Sequence, residues 1–350
     1  MTEYRDVVAV GASAGGVEAL RALVGGLPPD YPGVVMIVLH VPRDAPSALP
    51  NILNRSGPLP AAIAVDSEEL RRGRIYVAPN DHHLLILDGR IRLTRGAAEN
   101  GHRPAIDPLF RSIARAFGRR AVGVVLSGSR DDGAAGLANI AARDGVAVVQ
   151  DPADALYPWM PRAALAQVPT GYVAPAAKIG GLIAGITAME LPETPATDAG
   201  YPEDQTLFDA ELAMAELTPI TTDELAPAAG YGCPSCGGAL FQIDAGPVPR
   251  YRCRVGHAWT AESLLDEQAL ALEGALWMAL RALEEKSALS RRMASSQSHH
   301  HAFSGARFRD MAADAEAAGE TIRRLISQLG STAVSANEPA ETAGPPPDVG

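Results

Sequence analysis

Short apolar runs alternate with amphipathic stretches along the first half of the chain. The runs are Asp6 to Val10, Val34 to Leu39, Ala61 to Val65, Ile75 to Ala78, Ala121 to Leu126, Val146 to Gln150 and Gly171 to Val173. Their near-continuous hydrophobicity predicts strands covered on both faces. Between them, apolar residues at three- and four-residue spacing predict helices over Gly16 to Val24, Pro46 to Asn54, Asp107 to Phe117, Gly133 to Ala142, Met160 to Ala166 and Ala176 to Ala188. This alternation predicts an α/β fold, a doubly wound and mostly parallel sheet with flanking helices. Between Arg74 and Leu93 the pattern becomes a polar-tipped pair turning at Asp88-Gly89, a hairpin expected outside that sheet.

Past residue 188 the pattern changes. Residues 189–230 are rich in Pro, Thr, Ala, Asp and Glu and read as an acidic, mostly extended linker, with a transient helix at the Leu207 to Leu217 periodicity. From Ser263 onward the chain is helical again. Leu265, Leu272, Leu276, Ala279 and Leu283 share one face, and Phe308, Met311, Ala315, Ala318, Ile322, Leu325 and Leu329 keep a 4-3 alternation. Residues 263–330 therefore read as a helical hairpin packed on itself, in preference to an intermolecular coiled coil. His299-His300-His301 falls in its polar connection, and residues 331–350 read as a disordered tail.

Charge and cysteine usage narrow the class. The 350 residues carry a formal net charge of −11, which argues against nucleic-acid binding. No stretch is long and apolar enough to span a membrane and no signal segment opens the chain, so a cytoplasmic protein is expected. The 3 cysteines all fall between Cys233 and Cys253, which points to metal and away from a disulfide framework.

Candidate chemistry sits at strand ends. Val7 to Gly16 reads as strand, small-residue turn and helix, with Ser13 at the bend in a Gly-x-Ser-x-Gly spacing that fits a nucleophile elbow. Two rivals stand beside that reading: a glycine-rich connection without chemistry, and a phosphate-cradling loop. The dinucleotide fingerprint is poor, because Ser13 interrupts the glycines and His40, where an acidic residue is required, ends the second strand. In an open parallel sheet the strand ends converge on one crevice. The first delivers Ser13, the second His40, and Ala121 to Leu126 runs into Ser127-Gly128-Ser129-Arg130-Asp131-Asp132-Gly133. A hydroxyl, an imidazole and a carboxylate are the trio that acyl transfer needs.

Gly11 to Gly16, His40-Val41-Pro42, Ile75 to Pro79, His102 to Asp107, Leu126 to Gly136 and Met160-Pro161-Arg162, in this order and spacing, resemble the chemotaxis methylesterase (CheB) catalytic domain over about residues 5–188. The resemblance implies hydrolysis of γ-glutamyl methyl esters on methyl-accepting chemotaxis receptors, often with glutamine deamidation, and no cofactor for catalysis. By matching position it implies Ser13 as nucleophile, His40 as general base, Asp132 as orienter and the Ser129 backbone N–H as oxyanion donor. Asp131 becomes a loop residue, and Arg103 and Arg162 are candidates for docking an acidic receptor surface. Familiar members carry an N-terminal receiver; few residues precede the first strand here, so control is expected in trans, through a partner such as a response regulator or methyltransferase. The alternative is a catalytically silent scaffold that signals through its C-terminal modules.

Those modules begin with Cys233, Cys236, Cys253 and His257 in the spacing C-x2-C-x16-C-x3-H. Two close pairs can enclose a tetrahedral Zn²⁺, and four protein ligands leave no open position. A structural zinc module is expected over residues 231–262, stabilised by its metal because so short a segment has little core.

Overall fold

The computed structural model describes residues 3–42, 48–169, 171–191, 209, 213, 215, 226–244, 247–296 and 302–336. Seven strands form one sheet: β1 (Val7–Ala12), β2 (Val34–Leu39), β3 (Ala61–Ile63), β4 (Arg74–Val77), β7 (Ala121–Val125), β8 (Val146–Gln150) and β9 (Tyr172–Ala174). Their order is β3-β4-β2-β1-β7-β8-β9 and every pairing is parallel. Six helices cover it: α1 (Gly16–Gly25), α2 (Leu49–Ser56), α3 (Ile106–Phe117), α4 (Ala134–Ala142), α5 (Trp159–Gln167) and α6 (Ala176–Ala188). All six residues of β1 and of β2 are buried, and alternate residues join opposite cores. Val8 and Val10 pack with Leu20, Leu23 and Ile183, while Val7 and Ala9 pack with Phe110, Ile113 and Leu137. That two-sided burial is why these strands lack polar alternation.

The predicted hairpin is β5 (His83–Leu87) with β6 (Arg90–Thr94), a separate two-stranded sheet. Its turn residues Asp88 and Gly89 both have positive φ, 48° and 73°, as a type I′ turn needs. The expected hairpin boundary is corrected at one end: Arg74–Val77 belongs to the parallel sheet, pairing with β2 and β3.

Residues Met1–Leu265 form one compact unit and Asp266–Gly350 a second. The first includes a four-stranded sheet in the order β10 (Ala228–Gly232), β11 (Ala239–Ile243), β12 (Arg250–Cys253), β13 (Ala258–Trp259). Its small core is Leu240, Trp259 and Leu264 with the buried Cys233 and Cys253. Most of the 189–230 stretch lies outside the described residues. Its Asp209, Ala213 and Ala215 are helical, Asp209 pairs with Arg115 at 2.9 Å, and Ala215 is buried against Gly96.

The second unit contains most of α7 (Ala261–Ser296) and all of α8 (Ala302–Ala336). Ser287 and Arg291 bond Glu316, and Arg323 bonds Glu284, so the helices run antiparallel as a hairpin. The seam differs in part from the expected one. Leu280, Ser287 and Ser290 are buried on α7 and Ala312 and Ala315 on α8, whereas Leu265, Leu272, Leu325 and Leu329 are exposed. Small residues at the contact allow close approach, so the largest side chains do not mark the seam. His299 to His301 and the tail beyond 336 lie outside the described residues.

Candidate active site and metal centre

The topology brings three strand ends together. In the sheet Ala12 pairs with Leu39, and the His40 amide donates to the Ala12 carbonyl at 3.0 Å, so Ser13 and His40 leave adjacent strands at one level. The Ser13 amide donates to the Ser127 carbonyl at 2.9 Å, which ties in the loop after β7. The chain order reverses between β1 and β7, which is where such sheets open a crevice. Gly128 presses on the serine: a Cβ there would stand 2.8 Å from the Ser13 Cβ and 2.0 Å from the Met160 sulfur.

His40 Nε2 lies 2.8 Å from Asp132 Oδ2. The carboxylate of Asp132 can only accept, so Nε2 donates to it, and in the neutral ring the lone pair falls on Nδ1. That nitrogen is buried and makes no hydrogen bond, nor does the Ser13 hydroxyl, among the described residues. The ring is thus reversed relative to the usual serine-hydrolase arrangement, in which Nδ1 faces the carboxylate. His102 stacks on it, with centroids 3.7 Å apart and planes 12° from parallel. Burial and the nearby His40 push His102 down to about 3, so this second ring stays neutral and acts as a flat wall. Together with Val41, Pro42, Gly101 and Arg103 the two histidines line a cleft of about 360 Å³.

Asp132 is 1% exposed and fully engaged. Besides His40 it accepts from Asn100 Nδ2 at 2.9 Å and from the Ile106 and Asp107 amides at 2.6 and 3.3 Å. Those amides belong to the first turn of α3, where the helix dipole favours negative charge. Burial opposes ionisation, but the hydrogen bonds from His40 and the Ile106 N–H outweigh it and hold Asp132 below the usual carboxylate range.

Behind the carboxylate lies a layer that the sequence reading missed. Asn100, fully buried, donates to both Asp132 and Asp107, and its Oδ1 accepts from the Thr260 amide at 3.0 Å. Asp131 is no free loop residue: its two oxygens accept from the Thr260 and Ser263 hydroxyls. Burial raises Asp131, partly offset by those two bonds. Glu99 gathers Arg111 at 2.7 Å, Arg250 at 2.7 Å and Arg252 at 2.8 Å, all buried, and Arg250 reaches 2.5 Å from Asp107. Burial would raise Glu99, yet Arg111, Arg252 and Arg250 hold it well below its ordinary value. Two of these arginines come from β12, so the module's sheet is seated on the back of the crevice. Backbone bonds extend the contact, with Asn100 donating to Ala258 at 2.8 Å and Ala258 to Ala98 at 3.3 Å. Thr260, Ser263 and Arg250 carry no local motif; a contact between segments more than 100 residues apart has no sequence period to betray it.

Ser129 is exposed beside the crevice, and its amide makes no hydrogen bond among the described residues. Arg103 is committed elsewhere: it pairs with Asp81 at 2.6 Å and donates to the Gly96 carbonyl at 2.8 Å. Arg162 lies 5.2 Å from the Trp159 ring centre.

Cys233, Cys236, Cys253 and His257 offer ligand atoms all within 4.8 Å of one another. Cys236 and Cys253 sulfurs are 3.7 Å apart, and the Cys253 sulfur is 3.6 Å from His257 Nδ1. A tetrahedron with metal–sulfur arms of about 2.3 Å and a metal–nitrogen arm of about 2.1 Å has edges of about 3.8 and 3.6 Å, so these two separations match the shell of one metal ion. The ligand-bearing turns require left-handed backbone at Gly237 (φ 72°) and Gly256 (φ 104°).

A profile described as CheB methylesterase matches residues 8–183, half of the chain. The chain belongs to the CheB methylesterase family. A protein-glutamate methylesterase/protein-glutamine glutaminase of Xanthomonas oryzae is 42% identical over 162 residues, 45% of each chain. One of Yersinia pestis is 40% identical over 164 residues, covering 46% of this chain and 47% of that one. The chain thus spans about half the length of the curated relatives it matches. The crystal structure of the Thermotoga maritima CheB methylesterase catalytic domain superposes with a TM-score of 0.50 at 27% identity, covering 51% of this chain and 97% of that one. The matched region is the seven-stranded CheB domain; the module of three cysteines and a histidine and the C-terminal helices lie beyond it. Among the described residues no helix is long and apolar enough to cross a membrane.

Proposed function

We propose that the CheB domain hydrolyses γ-glutamyl methyl esters on methyl-accepting chemotaxis receptors. Ser13 attacks the ester carbonyl carbon while His40 Nδ1 takes the hydroxyl proton. Asp132 holds the ring through Nε2 and stabilises the imidazolium, and the Ser129 amide donates to the tetrahedral oxyanion. The protonated ring then delivers its proton to the departing methanol. Water, activated by the same nitrogen, attacks the acyl-serine and frees glutamate. With a glutamine amide as substrate the leaving group is ammonia, the deamidation named in the relatives from Xanthomonas and Yersinia.

The observation that carries this reading is the His40–Asp132 bond, which leaves a buried, unpartnered Nδ1 beside the strand end that bears Ser13. Acidic substrate surface and cytoplasmic location belong to the same proposal. Methanol release from methylated receptor by Ser13→Ala protein is the test. The expected outcome is loss of turnover with the fold intact, and retained turnover discards the serine mechanism.

We also infer that the metal is zinc. Three thiolates and an imidazole form a closed, soft donor set suited to Zn²⁺, with a structural role. The native protein is expected to hold one zinc per chain and Cys236→Ser protein none. Metal analysis that finds no zinc in the native protein overturns this.

A further inference from the structure

We propose that Thr260, Ser263 and Asn100 are positioning residues for the esterase reaction, forming a latch through which the metal module sets the Asp132 carboxylate. This inference rests on the Ser-His-Asp reading above.

Two routes run from the module to that carboxylate. In the first, the Thr260 and Ser263 hydroxyls each take one oxygen of Asp131, the residue adjoining Asp132 in the chain. Holding both oxygens of Asp131 fixes the peptide that carries Asp132. In the second, the Thr260 amide fixes the Asn100 carboxamide at 3.0 Å. That leaves its nitrogen aimed at Asp132 Oδ1, 2.9 Å away, opposite the oxygen that binds His40. One residue of the module, Thr260, therefore serves both routes. It stands one position after Trp259, the buried centre of the small core that also contains the ligands Cys233 and Cys253. The four candidate ligands, the small core, the latch and the carboxylate thus all belong to one compact unit.

The chemistry explains why such a brace matters. Asp132 shares its surroundings with Asp131 and Asp107, and burial raises both of those neighbours. Without the donors from the module, three crowded carboxyl groups would rotate apart or take up protons, and the His40 bond would go with them. Displacing a catalytic group by about 1 Å costs roughly a hundredfold in rate.

The experiment uses the full chain and two readouts: the low-field proton resonance of the His40 Nε2–H, and kcat and KM for methanol release. The double variant Thr260→Val/Ser263→Ala removes both hydroxyls and keeps the Thr260 amide. Its resonance is expected to broaden or vanish and its kcat to fall between about ten- and a hundredfold at unchanged KM. Thr260→Ser/Ser263→Thr, which keeps both hydroxyls, is expected to restore the resonance and most of kcat. Removal of the metal by a chelator is expected to abolish the same resonance. An undisturbed resonance and kcat in the first variant overturn the latch, as does a loss that the hydroxyl-retaining variant fails to restore. A resonance that responds as expected in a protein releasing no methanol leaves the latch standing and removes the esterase reading instead.

Discussion

Replacing Glu99 with glutamine perturbs the densest charge cluster in the molecule. Its carboxylate receives two bonds from Arg111 at 2.8 and 2.7 Å and one each from Arg250 and Arg252 at 2.7 and 2.8 Å, with all four side chains at most 3% exposed. Three guanidinium charges face two carboxyl groups, Glu99 and Asp107; the substitution leaves one. Glutamine keeps a single acceptor oxygen and points an amide N–H₂ at arginine donors. Breaking a buried pair by removing one partner costs about 3–5 kcal/mol, because the remaining charge stays buried. For a unit of this size that corresponds to a fall of about 10 °C in Tm.

Urea unfolding at pH 7.5, followed by tryptophan fluorescence and far-UV circular dichroism, measures the loss. Acid titration then checks its origin. A carboxyl held below its ordinary value of 4.5 contributes stability that is fully present above that pH and drains away as the pH falls through and below it. The gap between native and Glu99→Gln protein is therefore expected to be widest at neutral pH and to narrow below about pH 4. A variant within about 0.5 kcal/mol of the native protein at pH 7.5 would refute the reasoning, since that is the range of ordinary surface substitutions.

Asp132→Asn retains the shape of the acid but loses its charge, and it presents an N–H₂ to the ring or the α3 amides. Methanol release is expected to drop by about 10⁴, by analogy with the same change in serine proteases, with circular dichroism unchanged; a drop under tenfold would remove Asp132 from the relay. Gly128→Ala forces a methyl group against the Met160 sulfur and the Ser13 Cβ, so its kcat should fall while a mutant with a shortened residue 160, Gly128→Ala/Met160→Ala, recovers part of it. Ser129→Ala leaves the backbone donor in place, and steady-state assays are expected to find kcat within about twofold of native. A larger effect would show that the hydroxyl, rather than the amide, does the work.

The sequence by itself determined the sheet, because strands buried on both faces and helices buried on one leave hydrophobic periods that local reading detects. Local spacing also put Ser13 and His40 at strand ends and picked out the pattern of Cys233, Cys236, Cys253 and His257, whereas the choice of Asp132 over its neighbour Asp131 came from the family resemblance. The helical seam was only half legible. Leu276 and Leu283 marked the right face of α7, but the residues buried most deeply include Ser287, Ser290 and Ala315, whose small size carries little hydropathy signal. What tertiary structure decided is everything that joins segments distant in the chain. Glu99 meets Arg252 across 153 positions and Thr260 meets Asp131 across 129, and neither pair obeys a period. The reversed imidazole was likewise decided in three dimensions, because which nitrogen faces Asp132 depends on where α3 and the loop after β7 hold that carboxylate. A chain can write its own buried faces into local spacing; the partner that a buried charge finds is settled when the faces meet.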